Sequence, residues 1–138
     1  MPLTVKKSID VAAAPDRAWA AIGDFCGIAS WHPAVAKCEL QRRDGKTYRR
    51  LSLKGGGEIL EQQSAWDGAG RSYGYTIVES PLPVARYEST LAVTAKGSGA
   101  TIAWSGAFDA KGAPDEKAKN VIAGIYDAGL QALAAKLK

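Results

Sequence analysis

The stretch Leu51-Ser52-Leu53-Lys54-Gly55-Gly56-Gly57-Glu58-Ile59-Leu60 sets three consecutive glycines between two apolar-containing segments. This break reads as a connection between antiparallel strands. It lacks the spacing and the Lys-Ser/Thr ending of a phosphate-binding loop, and it opens no helix. Working outward, similar punctuation recurs at Asp44-Gly45, Asp67-Gly68-Ala69-Gly70, Ser80-Pro81-Leu82-Pro83 and Lys96-Gly97-Ser98-Gly99. Asp-Gly between alternating segments is a strong hairpin signal, and the longer breaks suit longer connections. Together they predict six strands in an antiparallel meander, at 35–43, 46–54, 57–66, 71–79, 86–95 and 100–108.

The flanks supply the remaining elements. Leu3, Val5, Ile9 and Val11 alternate with Thr4, Lys6, Ser8 and Asp10, which predicts a half-buried first strand over 3–11. Ala14-Pro15-Asp16 then opens a short helix carrying Trp19 and Ile22, and Ile28–Trp31 forms a second one before Pro33. After Ala113-Pro114-Asp115 the chain becomes helical to its end. Val121, Ile122, Ile125, Gly129, Leu130, Leu133 and Leu137 fall on one wide apolar face. A helix of about 22 residues would span roughly 33 Å.

Each turn also implies a register. Pairing Lys54 with Gly57 sets Leu51 opposite Leu60 and Arg49 opposite Gln62. Closing the next turn on Trp66 and Arg71 sets Ser64 against Tyr73, Gln62 against Tyr75 and Glu58 against Glu79. Tyr73 then faces Leu91, Leu91 faces Trp104, and Tyr87 faces Phe108. One face results, built from Leu51, Leu60, Tyr75, Ile77, Tyr87, Leu91, Ile102, Trp104 and Phe108. The other carries Tyr48, Arg50, Glu61, Gln63, Glu88 and several Thr, with Arg50 opposite Glu61. A one-residue slip would reverse the side chains of a strand. Only the terminal helix has enough apolar area to cover the first face. The expected architecture is therefore α+β: a curved seven-stranded antiparallel sheet gripping a long C-terminal helix, with two short helices after the first strand.

Length and composition agree with this. The 138 residues, 46% hydrophobic and 23% charged, suit one domain over 1–138 that folds without a structural metal. No apolar run reaches membrane-span length, and the N-terminus has no secretory pattern, so a cytoplasmic address is expected. Cys26 and Cys38 then read as reduced, buried thiols. A zinc site would have to use Cys26, Cys38 and His32, and their spacings match no zinc motif. The net charge of +4 is scattered along the chain, which argues against a nucleic-acid partner. No cofactor motif is present, and a monomer or homodimer is expected.

Polar groups interrupt the inner face: Arg49, Glu58, Gln62, Tyr73, Tyr75, Glu79 and Tyr87. A filled core would carry apolar residues there, because a buried polar group without a partner costs roughly 1–3 kcal/mol. Gly106 and Gly129 also lack side chains where volume is normally filled. These features predict a cavity for an apolar small molecule. Trp31, Tyr75, Ile77, Tyr87, Trp104, Phe108 and Gly129 would shape it, while His32, Arg49, Glu58 and Gln62 orient a polar end. If the cavity instead hosts catalysis, Glu58 and His32 are the candidate bases, with a Tyr or Arg49 stabilising an oxyanion.

Several motifs carry a family resemblance: the Ala-Pro-Asp-Arg-Ala-Trp helix at 14–19, Trp31-His32-Pro33-Ala34-Val35, Ile77-Val78-Glu79-Ser80-Pro81-Leu82-Pro83-Val84 and Trp104-Ser105-Gly106-Ala107-Phe108. The chain resembles the polyketide cyclase/dehydrase-like branch of the START/birch-pollen-allergen (SRPBCC) superfamily over nearly its whole length. The resemblance implies a helix-grip fold around a deep apolar cavity that holds lipids, sterols, polyketides or plant hormones. In some members it implies a cyclase, dehydratase or isomerase-type reaction. Lys54–Gly57 and Ser80–Val84 correspond by position to the two ligand-closing loops of the similar hormone receptors, without those receptors' loop sequences.

Overall fold

Strand β1 (Leu3–Val11) leads into α1 (Pro15–Ile22), a 3-10 turn (Phe25–Gly27) and α2 (Ile28–Trp31). Strands β2 (Val35–Arg43), β3 (Lys46–Leu53), β4 (Glu58–Asp67), β5 (Ser72–Glu79), β6 (Val84–Lys96) and β7 (Gly99–Ala110) follow, and α3 (Asp115–Lys136) closes the chain. This computed structural model describes residues 2–138; Met1, the first residue of the expected domain, lies outside them. The seven strands form one antiparallel sheet in the order β1-β7-β6-β5-β4-β3-β2. The architecture is the expected helix-grip.

Local chemistry explains the helix boundaries. Pro15 occupies the first turn of α1, where its missing N–H is no loss, and the Gly23 N–H closes the end on the Trp19 carbonyl at 2.7 Å. Helix α3 has Asp115 and Glu116 in its first turn and Lys136 in its last, both favourable to its dipole. Its buried stripe is Ala118, Ile122, Tyr126, Gly129, Leu130 and Leu133. It packs across β1 and β7 and against α2. The sheet curls away from it towards β3, β4 and β5, and that divergence leaves the cavity.

The β5–β6 and β6–β7 registers are as expected, with Tyr73 opposite Leu91 and Leu91 opposite Trp104. A bulge between Ala85 and Glu88 interrupts the second ladder, yet the Tyr87 and Phe108 rings still stack at 5.9 Å. The β3–β4 register differs by one residue: Leu51 pairs with Ile59, and Arg49 pairs with Glu61. The cause is the turn. Leu53 N–H reaches the Gly57 carbonyl at 3.0 Å and Gly56 N–H reaches the Leu53 carbonyl at 3.0 Å, so three residues form the loop instead of two. Gly56 supports this with a φ of +96°, which glycine adopts without a Cβ penalty.

That single step turns Ile59 and Glu61 inward and leaves Glu58 in solvent. Leu60 is still buried, next to a bulge between Leu60 and Glu61, but it stands outside the main core. The following turn closes on Asp67 and Ser72, not on Trp66 and Arg71, and a second bulge lies between Gln63 and Ala65. Trp66 consequently pairs with Tyr73 and rests its half-exposed ring on Trp19, 5.1 Å between centroids.

The cysteines also depart from expectation. Cys26 in the 3-10 turn and Cys38 on edge strand β2 form a disulfide, with Cα atoms 5.5 Å apart, and neither is a buried thiol. They are twelve positions apart in sequence, but the turn folds back against β2 and closes the gap.

Candidate functional site

A cavity of about 390 Å³ lies between α3 and the concave face of β3, β4 and β5. Val121, Ile122 and Ile125 of α3 form one wall. Leu51, Leu53, Ile59 and Ile77 form the facing wall, and Ile28 and Val35 close the α2 side. Lys54, Gly55 and Gly56 line the mouth beside Leu82. The remaining polar lining is His32, Glu61, Tyr75 and Tyr87, with Trp104 between them. Lipophilic walls with few polar groups are what a small apolar ligand requires.

Of the expected residues, His32, Tyr75, Ile77, Tyr87 and Trp104 line this cavity. Trp31, Arg49 and Phe108 are buried behind it. Trp31 meets Trp104 edge-on at 5.7 Å, and Phe108 stacks beneath Tyr87. Gln62 is half-buried on the β4 ladder opposite Thr76, outside the lining. Glu58 and Glu79 are exposed, and Glu58 meets Arg50 at 3.3 Å. The two glycines do not open space. A Cβ at Gly129 would come within 2.7 Å of His32, 2.8 Å of Trp104 and 3.0 Å of Trp31. One at Gly106 would collide with the Tyr126 hydroxyl. Their missing side chains admit rings, not ligand.

Glu61 is the acid that sequence reasoning placed on the wrong face. Its Oε1 accepts from Arg49 Nε at 2.7 Å, and both side chains are almost wholly buried. Arg49 Nη1 also donates to the Phe25 carbonyl at 2.6 Å, and the guanidinium lies 4.1 Å from the Phe25 ring centroid and 4.8 Å from that of Tyr75. Aromatic faces partly replace the water that Arg49 has lost; its Nη2 has no hydrogen-bond partner among the described residues. Burial works to lower the Arg49 pKa, but the adjacent Glu61 carboxylate carries it upward. Burial pushes Glu61 upward against the pull of Arg49. Arginine does not release its proton in proteins, so Glu61 stands as its counter-ion. The missed signal was the third loop residue before Glu58.

Tyr126 was also missed, although it follows Ile122 by four residues on the same helical face. It stacks on Trp104 at 4.4 Å and joins a buried hydroxyl cluster with Tyr75, Tyr87 and Ser89. Trp104 Nε1 donates into this cluster, to Tyr75 at 3.1 Å and to Ser89 at 3.0 Å.

His32 has no nitrogen left for proton transfer. Nε2 donates to the Ile125 carbonyl at 2.8 Å, and Nδ1 accepts the Ala34 N–H at 3.1 Å. Burial lowers its pKa below 6.5; the Ile125 bond opposes this and the Arg49 charge adds to it. The folded protein therefore binds fewer protons at this site than the unfolded chain. The resulting stability is present above pH 6.5 and is lost as pH falls through the lowered folded value. Melting temperature is expected to fall between pH 7.5 and pH 5, and His32→Gln should flatten that slope, against the opposing contribution of Glu61. An equally steep slope in the variant would exclude His32 as the cause.

A family model described as "Polyketide cyclase / dehydrase and lipid transport" matches residues 2–138. No curated protein matches the sequence. Among solved structures, the protein XoxI from Bacillus cereus is 31% identical, with a TM-score of 0.92 over 97% of this chain and 94% of that one. The Zhui aromatase/cyclase from Streptomyces sp. R1128 is 18% identical, with a TM-score of 0.80 over 99% and 94%. A START superfamily protein from Mycobacterium smegmatis is 17% identical, with a TM-score of 0.82 over 97% and 96%. At these last two identities the likeness shows the fold alone.

Proposed function

The chain belongs to the polyketide cyclase/dehydrase and lipid-transport family of the SRPBCC superfamily, and we propose that it binds a hydrophobic small molecule between α3 and the sheet. The ligand is a lipid, a polyketide or another ring-containing molecule. The observation that carries this reading is the 390 Å³ cavity, walled by aliphatic and aromatic side chains. The same lining supports a carrier or sensor role: apolar contact would supply affinity, and a few polar atoms orientation. No helix of the described residues is long and apolar enough to cross a membrane. The Cys26–Cys38 bridge suits an oxidising compartment; in the expected cytoplasm such bridges are uncommon.

The test is a fluorescence titration of the purified, solvent-extracted protein with the neutral dye N-phenyl-1-naphthylamine. Wild type is expected to bind one equivalent with a blue shift. Val121→Trp, which fills the cavity from the helix side, is expected to abolish that binding while remaining folded. Equal binding by both proteins would place the dye elsewhere and sink the reading.

Catalysis of the cyclase, dehydratase or isomerase type in this cavity would rest on Glu61, whose carboxyl burial pushes upward as a general base requires. Glu58 is in solvent and His32 is saturated, so neither supports it.

A further inference from the structure

The protons of the cavity-wall hydroxyls can be assigned, because their chain ends on a group with no proton to give. The Ser105 carbonyl only accepts, so Ser89 Oγ donates to it at 2.8 Å. With its one proton spent, Ser89 must receive the Tyr126 proton at 3.0 Å, beside that of Trp104 Nε1. Tyr126 must then accept from Tyr87, and Tyr87 from Tyr75 at 3.2 Å. Burial holds Tyr75 and Tyr87 well above the ordinary phenol range and pushes Tyr126 up to about 12, so all three keep the proton this ordering uses.

Every proton in the relay thus runs away from Tyr75, towards Ser105. The Tyr75 and Tyr87 side chains line the cavity and have no hydroxyl proton left to offer it, and Tyr75 already accepts from Trp104 Nε1 at 3.1 Å. Glu61 adds carboxylate oxygens: Oε1 is held by Arg49, and among the described residues no group donates to Oε2. Both His32 nitrogens are bound to backbone. Among the described residues, the polar side chains that line the interior therefore accept hydrogen bonds and offer none; the unpartnered donors Arg49 Nη2 and Trp31 Nε1 are buried behind the lining, and its one cation, Lys54, sits in the exposed mouth loop.

We propose that this cavity is an acceptor-only site, which takes apolar molecules ending in a neutral O–H or N–H donor and discriminates against isosteres ending in a carbonyl or ether, with Ser89 as the positioning residue that sets the polarity. The inference rests on the binding reading above and narrows it to phenol- and alcohol-ended ligands. The physical reason is asymmetric cost. A donor satisfies Glu61 or Tyr75, whereas a carbonyl placed there meets only lone pairs and gives up its own water.

The experiment is calorimetric titration at pH 7 of 2-naphthol, 2-methoxynaphthalene and 2-naphthaldehyde, which share one ring system and differ at one end. Wild type should bind 2-naphthol at least about 10-fold tighter than either of the others, the scale of a hydrogen bond to a charged acceptor. Ser89→Ala removes the fixed end of the relay and lets it reverse, so Tyr75 gains a proton to offer. The naphthol-to-naphthaldehyde ratio should then fall several-fold, whereas a merely structural role for Ser89 would weaken all three probes alike. Tyr75→Phe, which leaves the Arg49–Glu61 pair intact, should lower the ratio by deleting one acceptor. Wild-type binding of all three with equal affinity, or an unchanged ratio in Ser89→Ala, overturns the acceptor-only site alone. Binding of none overturns the cavity reading together with it.

Discussion

Glu61→Gln is expected to destabilise the protein by about 3–5 kcal/mol, a large part of the roughly 5–15 kcal/mol that holds a domain of this size. Gln retains the shape of Glu61 and an oxygen for the Arg49 Nε–H, but it removes the negative charge. Arg49 is fully buried and stays protonated, so its charge is then left in a low dielectric with neutral partners: carbonyl oxygens, the Tyr73 hydroxyl at 3.5 Å and aromatic faces. Glu58→Gln is the control. Glu58 meets Arg50 with its side chain 55% exposed, and such a pair contributes about 0–1 kcal/mol. Urea unfolding at pH 7 distinguishes the two, since both substitutions are chemically identical and three residues apart on one strand. Equal losses would mean that Arg49 finds other compensation. A double variant, Arg49→Met with Glu61→Gln, should be more stable than Glu61→Gln alone, because it removes the orphaned charge.

The second large effect is at the disulfide. Cys26→Ser with Cys38→Ser is expected to lower stability by about 3 kcal/mol, on the chain-entropy account of a loop of this length. The bridge acts on the unfolded chain by limiting its freedom. In the folded state it ties the 3-10 turn to β2, and that turn carries the Phe25 carbonyl that receives Arg49 Nη1. Urea midpoints of the variant and of the wild type in dithiothreitol should coincide below the oxidised wild type. Indistinguishable midpoints with and without reductant would remove the bridge from the account. A thiol assay in denaturant should detect no free thiol before reduction.

The two effects meet at one place, which explains how this fold keeps a charged pair beside a lipophilic cavity. Phe25 and Tyr73 pack edge to face at 5.6 Å around the guanidinium, and the disulfide holds Phe25 there. Loosening the turn would therefore weaken the Arg49–Glu61 pair as well, and the two losses are not expected to add independently.

Period-2 alternation, Gly-containing breaks and the apolar stripe after Pro114 were sufficient for the seven strands, their antiparallel order and the gripping helix. These are local or nearest-neighbour properties, and the chain's own chemistry specifies them. Tyr75, Ile77, Tyr87 and Trp104 were legible as cavity residues because β5, β6 and β7 keep the register that their turns imply. Sequence could not choose between a two- and a three-residue loop after Leu53. That one step exchanged Glu58 for Glu61, moving the buried acid to the other parity of β4. Nor could spacing reveal that Gly106 and Gly129 make room for Tyr126 and for three packed rings, because close approach between distant segments leaves no local trace. The Cys26–Cys38 bridge has the same origin, in a turn folded back on an edge strand. Local sequence determined the elements and their faces; tertiary packing decided which polar groups are buried, what they face and where space remains.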